Sequence, residues 1–354
     1  MKLTRNKHIS LSNIFLIGCA VVLAGSVLGD WLRESLVFIV VFIGLSLIVA
    51  SSVLVLRNFI IAFRDRKSTG NDESRSEDSD KDHDTQERSL ETALSKLKSV
   101  PWSVSDAVAI TIAAFIGGQT IGIGSVALYL SITEGVDVNS AVSTVGSSVG
   151  LLFLGYAIAH ILAVTLVLVF AWYRRGGLSS LGFRSFRLGR ALGFVTLFFV
   201  GYILAATLAV AILDVLNLGI DFQAQQDIGF LDATSLFEMV LAFIALVILA
   251  PFAEELVFRG VLLPALTRAV GVVAAVGLSS VVFGLMHPPV NAMIGIGIFA
   301  VFLALIYIYT DSIWPAIFLH SLKNIMAFIA IFFADELLEY LEELANILPG
   351  GGWI

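Results

Sequence analysis

The chain has 354 residues, of which 58% are hydrophobic and only 14% charged, whereas a soluble globular domain carries roughly a quarter of its residues as charges. Its formal net charge of −7 comes without any basic patch interleaved with aromatics, which argues against nucleic acid as a partner. The single cysteine, Cys19, rules out a disulfide within these residues and any multi-cysteine metal site.

Apolar runs long enough to cross a bilayer as helices recur along the chain. The expected class is an all-α, polytopic integral membrane protein with about nine transmembrane helices, eight being the alternative. The expected spans cover 12–29, 36–56, 105–132, 148–172, 191–213, 236–256, 272–287, 292–309 and 313–333. Lys2, Arg5 and Lys7 followed by "LIGC" resemble a lipoprotein leader. Only the five apolar residues Ile14–Gly18 precede Cys19, and the run continues to Leu28. A signal h-region needs about seven, so an ordinary first span is expected. Residues 1–63 then form a two-helix membrane hairpin. Residues 64–100 form a charged cytoplasmic linker whose core, "GNDESRSEDSDKDHDTQER", is too polar to bury a core and is expected to be disordered. Leu90, Leu94 and Leu97 place a short amphipathic helix just before the third span. A three-helix membrane region follows at 101–235, then a core at 236–334 and an acidic tail at 335–354.

The arginines and lysines set an orientation. They cluster at the N-terminus, after the second span (Arg57, Arg64, Arg66, Lys67), after the fourth (Arg174, Arg175, Arg184, Arg187, Arg190) and after the sixth (Arg259, Arg268). The segments Thr133–Gly146, Leu218–Ser235 and Asp335–Ile354 have none. This predicts a cytoplasmic N-terminus and a non-cytoplasmic C-terminus. The small-residue pairs Gly118/Gly122 and Gly146/Gly150 read as sites of close helix approach. His160, alone in the fourth span, reads as a hydrogen-bonded interior residue.

Chemistry concentrates in the last hundred residues. "LAPFAEELVFRG" carries two carboxylates and a guanidinium inside a membrane span, where each ionisable group costs about 2.5–3.5 kcal/mol and is a functional hypothesis by default. Glu254 and Glu255 point about 100° apart on a helix. Arg259 lies four residues after Glu255, so those two are expected to pair. Glu254 is left as the candidate general base for a water molecule. "VVFGLMHPP" brings Phe283 and His287 at i, i+4, and "WPAIFLHSLKN" brings His320 and Asn324 on one face. His320 and Asn324 are candidate donors to an oxyanion.

Glu254-Glu255-x-x-x-Arg259, Phe283-x-x-x-His287 and His320-x-x-x-Asn324, in this order, resemble the three motifs of the CPBP intramembrane protease family. That family includes the type II CAAX prenyl endopeptidases, the Abi proteins of bacteriocin self-immunity and lysostaphin-resistance-like proteins. The likeness extends over roughly Leu236–Ala334. It implies an intramembrane endopeptidase in which Glu254 activates water with help from His287, His320 and Asn324 form the oxyanion hole, and Glu255 and Arg259 position the site. The family is commonly named a metalloprotease, and Glu254, His287 and His320 are a candidate ligand set for a divalent metal such as zinc. The HExxH helix that makes zinc binding persuasive is absent, which tilts the reading toward a metal-independent glutamate mechanism. The expected partners are membrane lipids and a membrane-associated peptide or lipidated protein substrate. Two rival readings use the same residues: an ion- or proton-coupled transporter, and a non-catalytic scaffold or immunity protein.

One geometric demand follows. If the seventh span starts at the surface near Val272, His287 lies about 22 Å along it at 1.5 Å per residue, deeper than the expected end of the sixth span allows for Glu254. The two meet only if the sixth span ends deeper or if "VLLPALTRAV", Val261–Val270, prolongs the helical hairpin outside the membrane.

Overall fold

The structure of the protein, a computed structural model, describes residues 92–217, 220, 229–333 and 339. The described residues are helical throughout, with no strand. Six helices are long and apolar enough to cross a membrane: α1 (Val104–Glu134), α3 (Val149–Tyr173), α4 (Leu188–Val215), α5 (Leu236–Val270), α7 (Val290–Thr310) and α8 (Ile313–Phe332). Two shorter helices complete the bundle, α2 (Val138–Ser147) and α6 (Val272–Leu285). The protein is thus an integral membrane protein of the all-α class. The expected spans 12–29 and 36–56 lie outside the described residues. The expected span 272–287 is the short helix α6, too brief to cross alone at 14 residues.

Capping residues begin these helices where the apolar runs start. Ser103 and Asp106 form a reciprocal capping box ahead of α1, as do Ser235 and Glu238 ahead of α5. Ser148 caps α3. Asp137 accepts the backbone N–H groups of Asn139 and Ser140 and starts α2, a helix that falls in what the sequence reads as a loop. Its Ala141 and Val145, four residues apart, bury against Val126 and Ala127 of α1. Ten residues suffice because tertiary packing, not propensity, supports so short a helix.

The helix α7 sits at the centre. About 78% of its apolar window is buried, against 17–33% for the other spanning helices, and it packs against α4, α6 and α8. The outer helices carry large apolar side chains outward, including Ile132, Leu204 and Val215, as hydrocarbon solvent requires. Trp172 and Tyr173 end α3 and stand exposed beside Arg174 and Arg175, the aromatic-and-basic pattern of a membrane interface.

Gly122 meets its expected role: a side chain there would run into the Gly155 carbonyl and Ala159 of α3, so α1 and α3 approach backbone to backbone. Gly118 is similarly close to the Ala159 carbonyl. Gly146 and Gly150 do not fit that reading, since a methyl group at either meets nothing within 4 Å. His160 is buried, with Nδ1 2.7 Å from the Tyr156 carbonyl oxygen and its ring over Tyr156, as an interior structural residue should be.

The segment 92–98 forms the expected short helix, with Ala93 and Leu97 buried against the bundle. Lys96 bonds Asp311 in the turn between α7 and α8 at 2.7 Å, and Arg184 pairs with the same carboxylate. Trp102 is fully buried and donates to the Val261 carbonyl at 3.0 Å, while Arg268 donates to the carbonyls of Val100 and Trp102. The segment just before α1 is therefore clasped to the C-terminal half of α5.

Candidate active site

The shape of α5 decides the site. Pro251 has no N–H and leaves the carbonyl of Val247 without its helical donor. The wide π-type turns Ile244–Leu249 and Leu256–Leu262 bracket Ala250–Glu255, and such turns cluster at functional sites. Helix α8 repairs the break. Ser321 Oγ donates to the Val247 carbonyl at 2.8 Å, and Asn324 Nδ2 donates to the Leu246 carbonyl at 2.7 Å. In a membrane interior these carbonyls would otherwise go unsatisfied.

Unlike the expected span, α5 does not stop near residue 256. It runs on to Val270, and Gly271 turns the chain into α6. Glu254 stands 17 residues before that glycine and His287 stands 16 after it. In an antiparallel hairpin the two arrive level. Phe258 and Phe283, 13 before and 12 after, form the next rung, edge to face at 4.8 Å. The geometric demand raised by the sequence is met by a longer helix: "VLLPALTRAV" prolongs the hairpin, as the end of α5.

Glu255 is fully buried, and its Oε1 accepts from Arg259 Nη1 and from His320 Nδ1, each at 2.9 Å. Arg259 Nη2 donates to the Ala300 carbonyl of α7 at 2.9 Å, and its guanidinium lies 4.8 Å from the ring centre of Phe283. One arginine therefore ties α5 to α6 and α7, while its carboxylate partner ties α5 to α8. Glu254 faces the other way. Its Oε2 lies 3.8 Å from His287 Nε2 and 3.8 Å from His320 Nε2, and has no hydrogen-bond partner among the described residues.

The tautomers follow from the partners. His287 Nδ1 is 2.8 Å from the Phe283 carbonyl, which can only accept, so Nδ1 carries the hydrogen. His320 Nδ1 faces the carboxylate of Glu255, so it too carries the hydrogen. In the neutral rings both Nε2 atoms are acceptors. Three acceptors thus converge, at a separation too long for direct hydrogen bonds and short enough to share one water.

The sequence-derived set Glu254, Glu255, Arg259, His287 and His320 is brought together. Asn324 shares the helix face but aims its amide at Leu246 rather than at Glu254. Three other side chains join the site unforeseen. Tyr156 of α3 and Lys323 of α8 lie within electrostatic reach of Glu254, and Phe299 of α7 packs against the His320 ring at 5.7 Å. Lys323 was legible: it is a charged residue in the middle of an apolar span, three residues after His320.

Zinc holds oxygen and nitrogen ligands at about 2.0–2.2 Å, which places tetrahedral ligand pairs about 3.3 Å apart. Glu254 Oε2 is wider than that from both His287 Nε2 and His320 Nε2, at 3.8 Å each. Among the described residues no group of three or more His, Cys, Asp and Glu side chains is arranged to hold a metal ion. The set does not fit zinc as placed, and the chemistry below is derived from the chain's own groups.

Taken together, fold and site define a polytopic helical membrane protein with a carboxylate–imidazole cluster buried among its helices. Residues 236–326 match the family model described as Type II CAAX prenyl endopeptidase Rce1-like, over the same stretch that carries the three motifs. The chain is also 30% identical over 96 residues to "Putative membrane peptidase YdiL" of Bacillus subtilis (strain 168). That alignment covers 27% of this chain and 38% of the relative's length. No solved structure matches the chain.

Proposed function

We propose that the protein is an intramembrane endopeptidase that hydrolyses a peptide bond in a membrane-associated or lipidated substrate. The observation that carries this reading is the single oxygen, Glu254 Oε2, held 3.8 Å from two imidazole nitrogens that both lack a hydrogen. A water placed among these acceptors donates one O–H to Glu254 and the other to His287 or His320. Its lone pairs are then aimed away from the protein groups, toward an incoming carbonyl carbon.

In the reaction, Glu254 takes a proton as the water oxygen bonds to the carbonyl carbon, and the carbonyl π pair moves onto oxygen as an alkoxide. The pair returns as the carbon–nitrogen bond breaks, and the proton on Glu254 passes to the leaving amine. His287 orients the water. Glu255 and Arg259 hold the His320 ring, and His320 and Asn324 line the wall against which the carbonyl rests. The Rce1-like match over 236–326 supports a substrate whose C-terminal region carries a prenyl chain.

The test is cleavage of a quenched fluorescent peptide library by the detergent-purified full chain, with each peptide made with and without a thioether-linked isoprenoid. Wild type is expected to cut prenylated members, with and without a chelator, and Glu254→Gln to cut none. A transporter built on the same residues predicts ion flux in vesicles and no cleaved peptide. A scaffold predicts that Glu254→Gln and His287→Ala keep full biological activity. Either result would retire the hydrolytic reading.

A further inference from the structure

Among the described residues, Lys323 is the one charged group near Glu254 that the reaction above leaves without a task. It lies ten residues after Ile313 and nine before Phe332, so about 14–15 Å of helix separates it from either end of α8. A lysine stem reaches only about half that far, so the ammonium cannot snorkel to an interface. Lys323 is half-buried. His320, Lys323 and Asn324 fall at i, i+3 and i+4 on one face of α8, and Lys323 is within electrostatic reach of Glu254, His287 and His320. Among the described residues it makes no hydrogen bond or ion pair, whereas Arg259, the other cation here, makes both.

The two side chains first assigned to an oxyanion hole each have a partner within the chain. His320 puts its hydrogen on Nδ1 toward Glu255, and its Nε2, facing Glu254, has none to donate in the neutral ring. Asn324 Nδ2 gives one of its two N–H donors to the Leu246 carbonyl, which the break in α5 has left without a backbone donor. An ammonium has three N–H donors and a full charge, and neither side chain nor backbone among the described residues occupies them.

We propose that Lys323 is a further catalytic residue, the cation that receives the negative charge developing on the carbonyl oxygen of the bond being cut. The inference rests on the hydrolytic reading above. As the water oxygen bonds to carbon and its proton passes to Glu254, the carbonyl oxygen becomes an alkoxide. An N–H of Lys323 donates to that alkoxide, and the interaction weakens again when the carbonyl re-forms and the amine leaves. Lys323 transfers no proton in this step. A charge-bearing donor in a water-poor site acts on the transition state more than on the neutral ground state.

The experiment uses the purified full chain and one prenylated peptide that wild type cleaves, with Glu254→Gln as the inactive control. Lys323→Met is expected to lower kcat by roughly 10²–10³ with KM within about threefold, and Lys323→Arg to recover at least about tenfold over Met. A phosphonate analogue of the same peptide, which mimics the tetrahedral alkoxide, should lose affinity for Lys323→Met in the same ratio as kcat. If Lys323→Met does not fold in detergent, Lys323→Gln takes its place with kcat at least about tenfold down. A kcat within threefold of wild type in Met or Gln, or an unchanged preference for the phosphonate over the peptide, overturns the role of Lys323 and leaves the endopeptidase standing. No cleavage by wild type overturns both.

Discussion

Replacing Arg259 by methionine keeps most of the stem volume and deletes the guanidinium. What remains is Glu255, fully buried, with one oxygen still on His320 Nδ1 and the other without a partner. Removing one member of a buried ion pair costs about 3–5 kcal/mol, because the other charge is stranded. Loss of the contact with the Phe283 face adds up to about 2 kcal/mol for a desolvated pair. The Ala300 carbonyl keeps its place inside α7 and adds little. The expected destabilisation of Arg259→Met is therefore about 4–6 kcal/mol. Glu255→Gln removes the stranded charge and still offers an amide oxygen to His320, so the double variant Glu255→Gln/Arg259→Met should recover about half or more of the loss. Unfolding of the purified protein in mixed micelles, followed by tryptophan fluorescence against rising denaturing detergent, measures both. A single variant that costs less than 1 kcal/mol, or a double variant no more stable than the single, would refute the view that this pair is a buried, mutually dependent charge pair.

Other outcomes can be measured with the same preparation. Glu254→Gln is isosteric and leaves the Glu255–Arg259 pair untouched, so its unfolding midpoint should stay near wild type while cleavage falls at least about 10³-fold. Asn324→Leu leaves the Leu246 carbonyl without its donor and should cost about 1–3 kcal/mol of stability. Paired with Ser321→Ala, which removes the donor to Val247, it should uncouple α5 from α8 and speed amide exchange across 244–249. Gly122→Val forces a branched side chain onto the Gly155 carbonyl and Ala159 and should lower stability by about 1–3 kcal/mol, with α1 displaced from α3. A crosslink placed between those helices reads the displacement.

Much of this protein is legible without coordinates, for reasons that differ from residue to residue. Span positions follow from hydrocarbon thickness, which is why 148–172 and 292–309 fall within two residues of α3 and α7 at each end. The pairing of Glu255 with Arg259 is local, four residues along one helix, and needs no fold to be foreseen. The three motifs give the carboxylates and imidazoles because intramembrane ionisable groups are too costly to be incidental. Where the sequence reading departs from the structure, the cause is non-local. The long continuation of α5 depends on wide turns and on the clasp from Trp102 and Arg268, and α2 exists because Ala141 and Val145 have α1 to rest on.

The amino-acid order by itself determined that the chain is a helical membrane protein and which charged and imidazole side chains sit inside it, since helix length, apolar periodicity and the cost of burying charge are local properties. Which of those groups touch is another matter. That Glu254 meets two imidazoles while Glu255 takes Arg259 and the far side of the same His320, that Asn324 serves a broken backbone, and that Lys323 comes within electrostatic reach of Glu254 all depend on the relative rotation and depth of α5, α6 and α8. Those are set by packing between segments up to 85 residues apart, and no local pattern encodes them.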